Sequence, residues 1–293
     1  MPSQTDTPRL IGSQFAQCTL RELVGIGGTA EVYRASQRGG IDCAVKVLRR
    51  ERLEERDRVK AFQNEFEILH RLTCPGIPVA HKSGEIDGRP CFQMDLVQGE
   101  TLTALQAGHA VLPGPSLLIA VTRIVAFLHE HNLLHNDLKL ENMILGPEGG
   151  LTLIDFGNAR EARDGVLARL FQRKIEQIFG TITYVAPELL AGKRPSTQSD
   201  IYALGVCAFL LLTGKPPFQP GKAQDRPSER LRRLQEAKIP SIRDHLKNLP
   251  ASIATAIDAC LAKDPERRPE DAGVLLKIFN GWHRPPSAQL RAH

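Results

Sequence analysis

The sequence has few aromatic residues and no long apolar stretch. Aromatic side chains make up 5% of the 293 residues and are not interleaved with basic ones, unlike a chain that stacks nucleic-acid bases. The longest apolar run, Ile201 to Leu212, is shorter than the roughly 20 residues of a membrane-spanning helix. The N-terminus, MPSQTDTPRL, lacks the basic and apolar pattern of a signal peptide. We therefore expect neither nucleic acid nor membrane as a partner.

The sequence also lacks paired cysteine motifs. Its six cysteines, at positions 18, 43, 74, 91, 207 and 260, form no CxxC pair, and several lie in apolar runs such as Gly205 to Phe209. This distribution favours buried free thiols in a reducing compartment over disulfides or a metal site. A cytoplasmic protein is the expectation.

Charge of one sign is not concentrated anywhere in the chain. The formal net charge is +5 and the pI is near 8.9, but basic residues alternate with acidic ones, as between Arg49 and Arg56. Such alternation favours a solvated helix face over a nucleic-acid patch. With 42% hydrophobic and 24% charged residues, the composition is that of a globular protein of one large domain or two lobes.

The pattern of apolar residues changes near Gly99. Before it, strand patterns flank a glycine cluster and a charged helix, and after it long helical patterns dominate, broken by a short strand pair around 142–155. The predicted class is α+β, with a small β-rich lobe holding one helix and a larger helical lobe. The predicted divisions are an N-terminal tail over 1–18, lobes over 19–98 and 99–283, and a C-terminal tail over 284–293. The predicted helices are 51–72, 116–132, 199–214 and 252–262, and the strands after the first helix are 77–84 and 90–97.

Two features of the first half suit phosphate binding. Gly25, Gly27 and Gly28 lie between two predicted strands, where backbone amides can approach phosphates closely, although a flexible hairpin is an equal alternative. No helix follows the cluster, which argues against a dinucleotide fingerprint. Lys46 lies inside an apolar strand and needs an anionic partner. Glu65, on the following helix, can meet it and orient it toward nucleotide phosphates.

The segment from His135 to Asn142, HNDLKLEN, carries the strongest chemical signal. It places an acid, a lysine two residues later and an asparagine five residues later, which suits phosphoryl transfer. Asp155 follows 13 residues after Asn142, beyond a turn and an apolar strand. Carboxylate and amide oxygens are ligands that Mg²⁺ prefers.

Together these segments resemble eukaryotic-like serine/threonine protein kinases, and the bacterial branch in particular, over about residues 19–282. The resemblance implies a two-lobed kinase fold that uses ATP and Mg²⁺ to phosphorylate Ser or Thr of a protein substrate. Further matches are GTITYVAPE, ending at Glu188, the helix start at Asp200, and Arg268 as the partner of Glu188.

The resemblance also implies roles for single residues. Asp137 accepts or orients the substrate hydroxyl, Lys139 steadies the γ-phosphoryl, and Thr181 bonds both. Lys46 and Glu65 form the phosphate-orienting pair, while Asn142 and Asp155 hold the metal. The implied nucleotide-binding residues are Gly25, Gly27 and Gly28 at the phosphates, Val24, Val32, Ala44, Ile144 and Met94 around the adenine, backbone groups near Asp95 and Val97, and Glu100 at the ribose, for which a solvated turn is the alternative.

One position departs from the family pattern. Asn136 replaces the arginine that grips a phosphate on the activation segment, and residues 158–180 contain no Ser, Thr or Tyr. We therefore expect activity that does not depend on phosphorylation of this segment. Its basic residues suit a regulatory protein or an acidic substrate, although a solvated loop is the favoured alternative. They are Arg160, Arg163, Arg169, Arg173 and Lys174.

Two other functions remain open. A small-molecule kinase of the aminoglycoside type shares the acid and asparagine spacing, but the segment ending at Glu188 and the Asp200 and Arg268 elements argue against it. A scaffold without catalysis is disfavoured because Lys46, Asp137 and the two metal-ligand candidates are all intact.

Overall fold

The chain divides into two compact units. The computed structural model describes residues 10–37, 39–162, 182–218, 229, 232 and 236–282. The first unit comprises Met1–Ala104 and Glu141–Ala159, and the second comprises Leu105–Leu140 and Arg160–His293. The boundary thus lies a few residues beyond the predicted one, and residues 141–159 fall in the first unit, where the sequence had placed them in the second lobe.

A six-stranded antiparallel sheet dominates the first unit. Buried side chains alternate with more exposed ones from Cys18 to Leu20 and from Val32 to Ser36, whereas Cys43 to Val45 on a central strand are all buried. The spatial order is β1-β2-β3-β4-β6-β5. The strands are β1 (Gln14–Phe15), β2 (Cys18–Ile26), β3 (Ala30–Gln37), β4 (Asp42–Leu48), β5 (Ala80–Ile86) and β6 (Arg89–Met94).

The N-terminal tail is shorter than the sequence suggested. Gln14 and Phe15 pair with β2 at Thr19 and Cys18, and Leu10 is 2% exposed within the core of the sheet. Leu10 and Cys18 are buried in one core and Phe15 packs against it, which anchors this segment because removing apolar side chains from water is favourable. Residues 10–18 therefore belong to the folded unit.

Apolar side chains also pack between the sheet and one helix, α1 (Arg56–Arg71). Phe62 and Phe66 of α1 pack on Phe92 of β6, with ring centroids 5.0 and 5.8 Å apart. The helix is shorter than predicted at its start, since residues 50–52 form a separate 3₁₀ turn. The cysteines are free, and all but Cys74 are buried, as expected.

A second, three-stranded sheet explains why residues 141–159 join the first unit. It has the order β10-β9-β7, with β7 at Glu100–Thr101, β9 at Met143–Leu145 and β10 at Leu151–Leu153. Just before β7, Gly99 has a φ of +129°, and a Cβ there would lie 2.1 Å from the carbonyl oxygen of Leu145. Only glycine permits this approach.

The second unit is mainly helical. Its described α-helices and strands are α2 (Leu102–Ala107, which crosses the unit boundary after Ala104), α3 (Gly114–Glu130), β8 (Leu133–Leu134), β11 (Arg160–Glu161), α4 (Pro187–Leu190), α5 (Thr197–Thr213), α6 (Ala251–Cys260) and α7 (Ala272–Asn280). The three helices predicted in this unit, α3, α5 and α6, each lie within two residues of their expected ends, and with the first unit they confirm the α+β class.

Helix α5 is the centre of the second unit. It is buried around nearly its whole circumference, as expected for a helix that is apolar on all sides. Ser196 and Ser199 form a capping box at its start, and Gly214 ends it with a φ of +69°. Within the described ranges, no helix has both the length and the apolar character needed to cross a membrane.

Gly205 permits close packing of α5 against α6. A Cβ at Gly205 would lie 2.6 Å from the Cβ of Cys260, which is much closer than van der Waals contact allows. The absence of a side chain at this position therefore sets the distance between the two helices.

We expect Gly205→Ala to lower the free energy of unfolding by about 1–3 kcal/mol, because the overpacked helices must shift apart. Urea denaturation measures this change. The matched control is Gly150→Ala, where the added Cβ meets no atom within 4 Å and the expected change is within about 0.5 kcal/mol. Equal stability of the two variants would contradict the packing role.

Candidate active site

A buried ion pair lies at the centre of the first unit. Lys46 Nζ donates to both carboxylate oxygens of Glu65, at 2.6 and 2.7 Å, and lies 3.6 Å from Asp155 Oδ1. The Lys46 and Glu65 side chains are only 13% and 4% exposed. Burial alone lowers the pKa of Lys46, but the charges of Glu65 and Asp155 outweigh it, so that its pKa is raised. The ammonium group is thus kept charged in a buried position.

Secondary structure fixes both members of this pair. Lys46 lies on β4, between the buried residues Val45 and Val47, and Glu65 lies on the buried face of α1, next in line to Phe62 and Ile68. Strand alternation and helix periodicity each direct one polar side chain into an otherwise apolar interior.

The segment around Asp155 is held by the same carboxylate. The backbone N–H of Phe156 donates to Glu65 Oε1 at 3.1 Å, and Asn64 of α1 donates to the carbonyl of Ala159 at 2.8 Å. Asp155 has a φ of +64°, an uncommon conformation for a residue other than glycine. Its carboxyl group is 47% exposed and is therefore accessible to a ligand. The role of Asn64 was not predicted, because a polar residue on a helix gives no sequence signal of its partner.

Asn142 lies just before β9 and is 5% exposed. Its backbone carbonyl accepts from the N–H of Ile154 at 2.9 Å, which links it to the strand that leads to Asp155. The two predicted metal ligands are therefore on neighbouring chain segments of one unit. They offer an amide oxygen and a carboxylate, both hard donors.

The catalytic-loop candidates Asp137 and Lys139 lie in the second unit. Lys139 Nζ contacts both carboxylate oxygens of Asp137, at 3.1 and 3.0 Å, and the two side chains are 18% and 14% exposed. This geometry places a carboxylate and an ammonium group side by side, where a proton acceptor and an anion-binding group are both available.

Asp200, at the start of α5, holds the backbone of the catalytic loop. Its carboxylate accepts the N–H groups of His135 and Asn136 at 2.7 and 2.9 Å, and Asp200 is 1% exposed. Behind it, the buried His129 places Nε2 3.5 Å from Asp200 Oδ2, and its Nδ1 accepts the N–H of Ala272 at 3.2 Å. The sequence marked Asp200 as a family feature but did not reveal these bonds.

The conformation of Asn136 suits its residue type. Its φ is +61°, in the left-handed region that asparagine tolerates better than most residues with a Cβ. With its N–H bound to Asp200, the residue forms a tight bend directly before Asp137.

A second buried ion pair joins Arg268 to Glu188 of α4. Arg268 donates to both carboxylate oxygens of Glu188, at 2.6 and 2.7 Å. Its guanidinium also donates to the carbonyls of Ala262 and Gln198 and lies 4.9 Å from the ring centroid of Tyr202. The predicted pairing is present, and its satisfied donors suit a structural role.

The predicted nucleotide-binding residues all belong to the first unit. Ala44 and Met94 are partners across β4 and β6, Gly25 faces Val32 across β2 and β3, and Ile144 pairs with Thr101. The side chains predicted to surround the adenine differ in exposure, since Val24 is 49% exposed and Ala44 is buried. Gly27, Gly28, Val97 and Glu100 are also in this unit.

The backbone at Asp95 can offer less than expected. Its N–H donates to the carbonyl of Val79 at 3.0 Å, and its carboxylate accepts from the Val79 N–H and pairs with His81. Of its two backbone groups, only the carbonyl is therefore left to meet a base.

The predicted residues thus form two groups. Lys46, Glu65 and Asp155 come together in the first unit, and Asp137 and Lys139 in the second. Thr181 lies outside the described residues, as do Arg163, Arg169, Arg173 and Lys174. Arg160 is described and pairs through β11 with Leu134.

Comparison with known proteins identifies a family and several relatives. The model of the protein kinase domain matches residues 18–278. The chain is 33% identical over 276 residues to serine/threonine-protein kinase PknF of Mycobacterium tuberculosis, covering 90% of this chain and 55% of PknF. It is 30% identical over 272 residues to the probable serine/threonine-protein kinase PknB of Lactococcus lactis, covering 91% of this chain and 42% of PknB.

A third relative is serine/threonine-protein kinase PkaA of Streptomyces coelicolor, 32% identical over 280 residues, which cover 89% of this chain and 48% of PkaA. The chain spans about half the length of the curated relatives it matches. The kinase-domain match itself extends from β2 to α7 and includes both groups of candidate residues. The chain therefore belongs to the protein kinase family.

Proposed function

We propose that the protein is a serine/threonine protein kinase that transfers the γ-phosphoryl group of ATP to a protein hydroxyl. The observation that carries the proposal is the bidentate pairing of Lys46 with Glu65, with Asp155 3.6 Å from the same ammonium group. A buried lysine that its acidic neighbours keep charged, beside an exposed carboxylate, suits a nucleotide phosphate and its metal. The relatives named above carry serine/threonine kinase names, which supports the same reaction.

The reaction requires only a few groups from the chain. The substrate oxygen forms a bond to the γ-phosphorus as the bond from that phosphorus to the leaving oxygen of ADP breaks, and the hydroxyl proton is released. Asp137 orients the hydroxyl and accepts this proton, while Lys139 balances negative charge on the moving phosphoryl group. Lys46 binds the phosphates that remain with the nucleotide.

Mg²⁺ fits the donor set near the phosphates. Asp155 and Asn142 supply carboxylate and amide oxygens, and Mg²⁺ usually combines one or two such ligands with phosphate oxygens and water. The metal would neutralise phosphate charge. Because both bonds between Lys46 and Glu65 are made without Asp155, we expect mutation of Asp155 to leave this pair intact and so to separate metal binding from lysine positioning.

The adenine would lie among Val24, Val32, Ala44, Ile144 and Met94. Because the Asp95 N–H is used by Val79, we assign the Asp95 carbonyl as an acceptor for the base, and a backbone group of Val97 as its second contact. Glu100 would meet the ribose. Thr181, as a further partner of Asp137 and Lys139, also remains part of the proposal.

We expect Asp137→Asn to lower the rate of phosphate transfer by about 10²–10⁴-fold, because the amide cannot accept a proton. The measurement uses radiolabelled ATP with a pool of Ser- and Thr-containing peptides and, separately, an aminoglycoside. Label should enter peptides as phosphoserine and phosphothreonine and should not enter the aminoglycoside.

Asp57→Asn is the matched control for charge, because Asp57 is exposed on α1 and should leave the rate within twofold. Circular dichroism verifies that both variants are folded. Retained transfer by Asp137→Asn would refute the assigned role. Label in the aminoglycoside alone would favour the small-molecule kinase, and no transfer by the wild type would favour a scaffold.

We further propose that activity does not require phosphorylation of the activation segment. Asn136 lacks the charged, bidentate fork with which arginine binds phosphate, and residues 158–180 offer no hydroxyl to modify. The positive φ of Asn136 also makes arginine a less favourable residue at this position, since side chains other than Asn and Asp seldom adopt it. Control by a regulatory protein that contacts the basic residues of the segment is consistent with this proposal.

Phosphatase-treated protein should therefore keep its transfer rate within twofold of untreated protein. Mass spectrometry confirms that the treatment is complete, and the rate is measured before ATP can restore any modification. As a matched test, the transfer rate of Asn136→Arg should also be unchanged by phosphatase treatment, because residues 158–180 offer no phosphate for the new arginine to bind. A loss of activity that maps to Thr181 or Thr183 would contradict the proposal.

A further inference from the structure

The glycine-rich turn between β2 and β3 is held by a segment that the sequence did not connect with it. Three consecutive carbonyls, those of Gly27, Gly28 and Thr29, each accept a hydrogen bond from residues 49–52. Arg49 Nη1 donates to Gly27 O at 3.2 Å, Arg52 Nε donates to Gly28 O at 3.0 Å, and the backbone N–H of Arg49 donates to Thr29 O at 3.0 Å.

These contacts determine which way the turn presents its N–H groups. In a planar trans peptide the C=O and the N–H that follows it point in opposite directions. Carbonyls 27 to 29 are directed toward residues 49–52, so the N–H groups of Gly28, Thr29 and Ala30 point away from the partners of those carbonyls. Successive N–H groups of a turn are well suited to bind phosphate oxygens, and a Cβ at Gly28 would meet no atom within 4 Å.

Carboxylates fix the two guanidinium groups and occupy their other edges. Arg49 pairs with Glu51, and Arg52 Nη1 pairs with Glu55 Oε1 at 2.6 Å. The hydrogen bond from Arg52 is the main reason that the pKa of Glu55 is lowered. The positive charge of each arginine is balanced by its acidic partner. Its contact with the glycine turn therefore acts mainly as a hydrogen bond.

The base of the turn is fixed separately. Arg89 is 4% exposed and donates to Glu31 Oε2 and to Leu48 O, each at 2.7 Å. Tyr33 also donates to Glu31, at 2.9 Å. This buried cluster holds β3 and the end of β4 where the turn begins, whereas Arg49 and Arg52 hold its tip.

The arginine segment also leads directly into α1. The carbonyl of Arg52 accepts from the N–H of Glu55 at 3.1 Å, and that of Glu55 accepts from Val59 in the first turn of the helix. The same helix carries Glu65, the partner of Lys46. The position of the glycine turn is thus tied to the element that orients the phosphate-binding lysine.

We propose that Arg52, together with Arg49, is a positioning residue that holds the glycine-rich turn with its N–H groups directed at the nucleotide phosphates. This inference rests on the proposed function for its ligand, ATP. Arg52 acts through the Gly28 carbonyl and does not itself contact the phosphates. The arrangement should not increase the affinity for a nucleoside, because a nucleoside has no phosphates for these N–H groups to bind.

Arg52 permits a test that separates the hydrogen bond from the charge. The donor to Gly28 is Nε, and the side-chain nitrogen of glutamine occupies the same place along the side chain, so that Arg52→Gln keeps a neutral donor. Arg52→Met removes both donor and charge. The matched control is Arg50→Met, because Arg50 lies on the same turn but pairs with Asp87.

The first measurement needs no nucleotide. Hydrogen exchange of the Gly27 amide, whose N–H donates to the Ala30 carbonyl within the turn at 2.8 Å, should be about three- to tenfold faster in Arg52→Met than in the wild type, which is the range expected for losing one hydrogen bond that holds the turn. Arg52→Gln and Arg50→Met should exchange at the wild-type rate within twofold.

The second measurement is calorimetric binding of ATP and of adenosine to the full chain. Arg52→Met should raise the Kd for ATP about three- to tenfold and leave that for adenosine within twofold, and Arg52→Gln should bind both as the wild type does. Three results would each overturn the inference. Arg52→Met could lose equal affinity for ATP and adenosine, Arg52→Gln could bind ATP as weakly as Arg52→Met does, or Arg50→Met could show the same rise in the Kd for ATP.

The two measurements distinguish this inference from the proposed function. If the wild type binds no ATP, the proposed function fails, and the exchange rates alone still decide whether Arg52 holds the turn. If the wild type binds ATP and transfers phosphate while Arg52→Met matches it in both measurements, only the positioning role is wrong.

Discussion

The buried ion pair between Lys46 and Glu65 is the constraint on which the first unit depends. Removing one member of such a pair leaves an uncompensated buried charge, at a cost of about 3–5 kcal/mol. The pair therefore fixes α1 against β4 as long as both residues are charged. Glu65 also accepts the N–H of Phe156, so the same carboxylate determines where the chain turns after Asp155. One interaction thus positions Lys46, the helix α1 and the segment around Asp155.

In the second unit a single carboxylate has the corresponding role. Asp200 is rigid because α5 is buried around nearly its whole circumference, and it fixes the backbone on the N-terminal side of Asp137 through two N–H groups. The buried charges of Lys46, Glu65 and Asp200 thus fix backbone and side chains around the candidate active site. Arg49 and Arg52 extend the same principle to the glycine turn at a partly exposed site, where hydrogen bonds to carbonyls replace a buried pair.

The sequence predicts the fold well where one physical signal dominates. The periodic apolar residues of α3 and the nearly continuous apolar run of α5 predicted both helices to within two residues, because both helices bury most of their length. Lys46 and Glu65 each lie among apolar residues, where a charge is costly to bury without a partner. This cost predicted the Lys46–Glu65 pair. The signal was weaker where a few side chains or a backbone contact decide. Leu10 joins the segment before β1 to the core, and the pairing of β9 with β7 brings residues 141–159 into the first unit. Hydrogen bonds to carbonyls, such as those of Arg52 and Asn64, leave no pattern in the sequence at all.

The most direct test of the central claim is a double-mutant cycle on kcat/KM for phosphate transfer, with Lys46→Met, Glu65→Gln and the double variant. If Glu65 acts by positioning Lys46, the double variant should be as slow as Lys46→Met within about threefold, since neighbours that act as a unit are not additive. Losing one such group should cost about 10²–10³-fold. Losses that multiply in the double variant would contradict the claim, because Glu65 would then act independently of the lysine.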